Sequence, residues 1–140
     1  MKTSANGYAF IKREEGLLLK AKPDLNKMVI GWGHDLLPGE WFPQGIDEAK
    51  AEALLQSDVR KAEVVLDKLF PPSGTQNQYD ALIDFGFNLG VLPLHTLFSH
   101  PFLDFKNQIP RWCYEHVGGK AVKSEALEGR RKREVELFLA

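Results

Sequence analysis

Two carboxylates near the start of the chain sit where chemistry could be done. Glu15 stands immediately before Gly16, and Asp24 immediately after Pro23. The pattern predicts a helix that closes at Glu15, because glycine readily takes the left-handed conformation that stops a helix. It predicts a turn at Asp24, between extended runs over Leu17–Ala21 and Met28–Ile30. Carboxylates held at neighbouring ends of rigid elements suit glycosidic hydrolysis, where one donates a proton and the other, ionised, activates water or attacks carbon. The same two residues could equally be solvated surface groups, the usual condition of Glu and Asp.

The surrounding strings decide between these readings. Ile11 opens the run Ile-Lys-Arg-Glu-Glu-Gly-Leu, followed by Leu-Lys-Ala, Asp24 and the run Ile-Gly-Trp-Gly-His that ends at His34. This resembles the opening of the phage-type lysozymes, the endolysin muramidases of glycoside hydrolase family 24. Further similar strings are Thr75-Gln-Asn-Gln-Tyr-Asp-Ala-Leu through Phe87-Asn-Leu-Gly90, Arg111-Trp112, Gly118-Gly119-Lys120 and the tail from Ala126 to Leu139. The resemblance implies Glu15 as general acid and Asp24 as second carboxylate, with inversion at the anomeric carbon. It implies substrate-binding positions at Asn88, which matches a cleft-lining residue of the family, at His34, and at Arg130, since one of Arg130 or Arg131 is expected near Glu15. The implied reaction is cleavage of the β-1,4 bond between N-acetylmuramic acid and N-acetylglucosamine in peptidoglycan, with no cofactor. Where the family carries a Thr that holds the attacking water, this chain has Val29, and where the family has a Tyr two residues before the Asp, it has Lys22. Val suits a strand as well as Thr does but lacks the hydroxyl, so the fold is expected to be kept and the chemistry weakened.

The implied fold is mainly α (α+β): a two-lobed lysozyme-like fold with a small β-hairpin lobe, a long connecting helix and a helical lobe. The expected division is a single domain over 1–140, with a hairpin lobe at about 15–46, a connecting helix at 47–70, and a helical lobe of 71–140 together with the first helix, 4–15. Hydrophobic periodicity supports it. Thr3 or Ser4 can cap a first helix. Asp47 can cap a long one, because Ala51, Leu55, Val59, Ala62, Leu66 and Leu69 recur at spacings of three and four. Pro71-Pro72 stops it, and Thr75 starts a helix whose Tyr79, Leu82, Phe85 and Leu89 form one face before Gly90. From Val91 to Pro110, prolines at 93, 101 and 110 are expected to interrupt helices.

Bulk composition sets the bounds. At 140 residues, 44% hydrophobic and 26% charged, the chain has the make-up of one ordinary globular domain with a real core. A formal net charge of -1 gives no global attraction to nucleic acid or to an anionic membrane. The single Cys113 permits neither an internal disulfide nor a Cys-based zinc site, which fits synthesis in a reducing host cytoplasm. No apolar signal or spanning run stands out, so stable membrane insertion is not expected. The expected protein is a monomer that reaches peptidoglycan glycan strands after release.

Other constellations have plainer readings. The histidines at 34, 95, 100 and 116 lack ligand spacing, so no metal is expected, and His34 also reads as a structural residue paired with an acid between hairpin and helix. Arg130-Arg131-Lys132-Arg133 could bind phosphate, but Glu128, Glu134 and Glu136 interleave, which reads as a solvated helix face rather than a nucleic-acid site. A second function class stays open: a lysozyme fold kept as a peptidoglycan-binding or structural module with little hydrolysis, favoured by Val29 and Lys22.

Overall fold

Ser4 starts the first helix as expected of a cap: its hydroxyl accepts the N–H of Gly7 at 3.1 Å. Helix α1 runs Ala5–Glu15 and stops at Gly16, whose N–H bonds back to the carbonyl of Lys12. This computed structural model describes residues 1–140. Strand β1, Leu18–Asp24, pairs antiparallel with β2, Lys27–Gly31, which pairs with the short β3, His34–Asp35, in the order β1-β2-β3.

The hairpin is therefore a three-stranded sheet, and Asp24 is not in its turn. Asp24 ends β1 opposite Lys27, and Leu25-Asn26 make the connection. The proline that suggested an earlier turn is tolerated because β1 is an edge strand, where a missing N–H need not break a ladder.

Asp47 caps α2, Glu48–Leu69, accepting the N–H of Lys50 at 2.7 Å. This helix leads away from the sheet into the helical body. Thr75 and Gln78 form a reciprocal capping box on α3, Gln76–Leu89. Every residue from Tyr79 to Gly86 is buried, because α1, α2, α4 and α6 pack around α3. A helix enclosed on all sides is normally apolar all round. Here it carries two acids, Asp80 and Asp84, and each must find a partner in the interior. Asp80 accepts the Ser4 N–H at 3.0 Å and the Ser4 hydroxyl.

The proline-rich middle is a chain of short elements. Helix α4, Val91–Leu97, keeps Pro93 in its first turn, where the absent N–H costs nothing, so Pro93 does not break it. A 3-10 turn at Phe102–Asp104, helix α5 at Phe105–Gln108 and another 3-10 turn at Ile109–Arg111 follow. An aromatic cluster holds them to the body: Phe105 lies 4.9 Å from Phe98 and 5.1 Å from Phe102, and Phe102 lies 5.3 Å from Phe138, between ring centroids. A fully buried ring such as Phe105 contributes roughly 1.5–3 kcal/mol through burial. A second hairpin, β4 at Tyr114–Val117 and β5 at Lys120–Lys123, precedes α6, Glu125–Leu139. The architecture is mainly helical with two small antiparallel sheets. No helix is long and apolar enough to cross a membrane.

The tail corrects one expectation outright. Arg130, Arg131 and Glu134 are buried, the last two completely, so α6 does not turn a solvated charged face outward along its whole length. Lys132 and Arg133 are the exposed cations of the run, and Arg133 pairs with Glu14 at 2.9 Å.

Candidate active site

Glu15 is set by the end of α1 and by what the sheet places beside it. Gly31 and Gly33, both at positive φ, turn the chain between β2 and β3 around the buried Trp32. The turn brings Gly33 against the Glu15 carboxylate so closely that a Cβ at position 33 would overlap Oε2. Lys22 pairs with Val29 across the β1–β2 ladder, and the strand period of two places Lys22, Asp24 and Val29 on one face. With Glu15, Leu18 and Gly33 these three residues line a cleft of about 280 Å³. The structure thus brings Glu15, Asp24 and Val29 together at the junction of sheet and helices. Asp24 is exposed, Val29 half-buried, and the Glu15 side chain only 18% exposed.

Beyond Gly33 the opening continues into a larger trough of about 550 Å³ between sheet, α2 and α3. Its walls differ. Val65, Phe87 and Val91 make an apolar side, and Asp35 and Lys61 a charged one. An apolar wall with a few polar groups is what a sugar ring with its hydroxyl edge requires.

Arg130 reaches Glu15 from α6, its Nη1 donating to Oε1 at 2.7 Å. Its Nε and Nη2 donate to the two oxygens of Asp84 at 2.9 and 2.7 Å. Burial works against the guanidinium charge, but the hydrogen bonds and charge of Asp84, with those of Glu15, outweigh it and hold Arg130 above its ordinary pKa. Next to it, Arg131 Nη2 donates at 2.7 Å both to Glu134 and to Asn88. Burial pushes the Arg131 pKa down despite the charge of Glu134. It pushes Glu134 well up, and the nearby charge of Asp84 adds to this. Asn88 therefore turns its side-chain oxygen toward α6.

His34 is placed between sheet and helix rather than in the cleft. Its Nδ1 lies 2.6 Å from Asp58 on α2 and its Nε2 2.8 Å from Glu40, which also accepts the Leu37 N–H at 2.7 Å. Both ring nitrogens are thus taken by protein partners. Burial lowers the His34 pKa, yet the two carboxylates overcome it and leave it raised. Glu40 is lowered, chiefly by the Leu37 N–H and further by His34. No three His, Cys, Asp or Glu side chains converge in the manner of a metal site.

Sequence reasoning missed Asp84, Glu134, Asp58 and Glu40. The signal for Asp84 was present: an acid inside the apolar run Ala-Leu-Ile-Asp-Phe-Gly-Phe has nowhere to go but the interior.

Known proteins are similar to this chain along nearly its whole length. The family profile described as "Phage lysozyme" matches residues 12–134. The endolysin of Bacillus phage B103 is 37% identical over 99% of this chain, which spans only about half, 54%, of that relative's length. The endolysin of Salmonella phage P22 is 34% identical, with 100% of this chain and 99% of the relative covered. A solved endolysin from Escherichia coli O157:H7 phage FAHEc1 superposes with a TM-score of 0.90 at 29% identity, covering 99% of this chain and 94% of that one. The small sheet, the long α2 and the helical body are a lysozyme fold, and with the profile matched along most of its length this chain belongs to the phage lysozyme family.

Proposed function

We propose that the protein hydrolyses peptidoglycan at the β-1,4 bond between N-acetylmuramic acid and N-acetylglucosamine, as an inverting muramidase of the glycoside hydrolase family 24 type. The observation that carries this is the shared cleft: Glu15 and Asp24, distant in their elements, line one opening where the sheet meets the helices. Glu15 protonates the leaving oxygen and Asp24 helps to activate water from the other side of the ring. The trough past Gly33 gives neighbouring sugars of a glycan strand a place to lie. Arg130 belongs to the site through its bond to Glu15. Asn88 and His34 shape it from behind, the first through Arg131 and the second by tying Glu40 to α2. The lobes that close on the strand are 15–46 and 71–140 with 4–15, joined by 47–70. The chain works as a monomer, made in the host cytoplasm and acting on the wall after release.

Val29 favours a second reading, a lysozyme fold that binds peptidoglycan and cleaves it slowly. The position lines the cleft beside both carboxylates and offers no hydroxyl to hold water. Release of reducing ends from purified peptidoglycan, wild type beside Glu15→Gln, tests the first reading. The substitution keeps shape and removes the proton donor, so release should fall to background in a folded protein. Equal rates would refute the assignment of Glu15.

A further inference from the structure

A cation in contact with a general acid is a difficulty. A guanidinium whose whole charge faced Glu15 would favour the ionised carboxylate, and an ionised carboxylate has no proton to give to a leaving group. Arg130 Nη1 is 2.7 Å from Glu15 Oε1. What separates this chain from the difficult case is Asp84, which is fully buried on α3 and commits both oxygens to the Nε and Nη2 edge of the same guanidinium.

We propose that Asp84 is a positioning residue that divides the charge of Arg130, so that Arg130 orients the Glu15 carboxyl by a hydrogen bond while only part of its charge falls on that carboxyl. Oε1 accepts from Arg130, which leaves Oε2, beside Gly33, to carry the proton toward the cleft. The inference rests on Glu15 being the acid.

The other charged groups around Glu15 do not perform this division. Arg133, from α6, is closed on Glu14, and Arg131 is closed on Glu134. Lys22 and Asp24, from β1, line the cleft on its open side. Arg130 is the cation that touches Glu15, and Asp84 is the anion that holds Arg130 by a two-pronged contact.

The test is the pH dependence of kcat for release of reducing ends from peptidoglycan by wild type, Asp84→Asn and Asp84→Asn/Arg130→Gln. In Asp84→Asn the undivided charge of Arg130 falls on Glu15, and the alkaline limb should move to lower pH by about one unit. At pH 7 kcat should fall about tenfold with KM little changed. In the double variant the cation is gone as well, and the limb should return to the wild-type position or above it. A residue that merely held the fold would lower the melting temperature and leave the limb in place. That result, or a double variant whose limb is as low as that of Asp84→Asn, would overturn the proposal. If Asp84→Asn fails to fold, Asp84→Glu takes its place: it keeps the anion opposite Arg130, so its limb should stay at the wild-type position, and a limb displaced to lower pH by about one unit would overturn the proposal. Should wild type cleave no peptidoglycan, the hydrolase reading fails separately. The Glu15 carboxyl can then be titrated by carbon NMR in the same three proteins, with the same order of midpoints expected.

Discussion

The carboxylate of Glu15 rests against Gly33 in the space that a Cβ would fill. One residue from the end of a helix and one from a turn between two strands are thus fitted to each other, and the fit fixes the acid against the floor of the cleft. Gly33 is needed twice over, since its φ of +71 also lies where residues with a side chain are strained.

Gly33→Ala should therefore do more harm to activity than to folding. The backbone strain costs about 1–2 kcal/mol. The displaced carboxylate should lower kcat/KM on the order of a hundredfold, the penalty for moving a catalytic group by about an ångström. Thermal denaturation and peptidoglycan release measured on the same preparation separate the two. A variant with full activity would show that the contact does not place Glu15.

His34 gives the fold a pH-dependent clamp. Its raised pKa means that folding favours the imidazolium, held by Asp58 and Glu40. The sign follows: this stability is fully present below the unfolded pKa, about 6.5, and is lost as pH rises through the higher folded value. Asp58→Asn should consequently cost on the order of 3 kcal/mol at pH 5.5, as when one partner is removed from a buried pair. The cost should shrink at pH values above the folded pKa. Urea denaturation at pH 5.5 and pH 9 reads the difference directly, and a cost that grew with pH would contradict the clamp.

The same comparison of residues shows what a sequence reveals and what it hides. The helix starts at Ser4, Asp47 and Thr75 were readable because a cap is a local device: the side chain bonds a backbone N–H two or three residues away and needs no tertiary information. The strand through Pro23 was not readable, because only the place of β1 at the sheet edge makes a proline acceptable there. The hairpin of β4 and β5 escaped for a different reason. All eight of its residues are exposed, so no alternation of apolar and polar side chains marks it. Hardest of all was the tail. Arg130, Arg131 and Glu134 read as solvated because charges usually are; what admits Arg130 to the interior is Asp84 on α3, more than forty residues away in the chain, while Arg131 is held by Asn88 of α3 and by Glu134 one turn along α6.

Val29 carries the last prediction, which separates a slow hydrolase from a binding module. The residue lines the cleft with Glu15 and Asp24, is half-buried, and sits mid-strand opposite Lys22 and Asp35. Val29→Thr keeps the β-branched shape that the strand favours and adds a hydroxyl where water must approach the sugar. If the carboxylates are arranged for hydrolysis and only the water is poorly held, kcat should rise by about tenfold or more, since one positioned polar contact in a transition state is commonly worth that much. Affinity for peptidoglycan should stay the same, because the water is recruited after the strand is bound. The new hydroxyl faces an open cleft and can be solvated there, so the melting temperature should drop by no more than about 3 °C. Turnover and sedimentation with insoluble peptidoglycan, measured for both proteins, give the two quantities needed. A threonine variant that binds as wild type does and still releases no reducing ends would show that the missing hydroxyl is not what limits cleavage, and the binding reading would stand in its place.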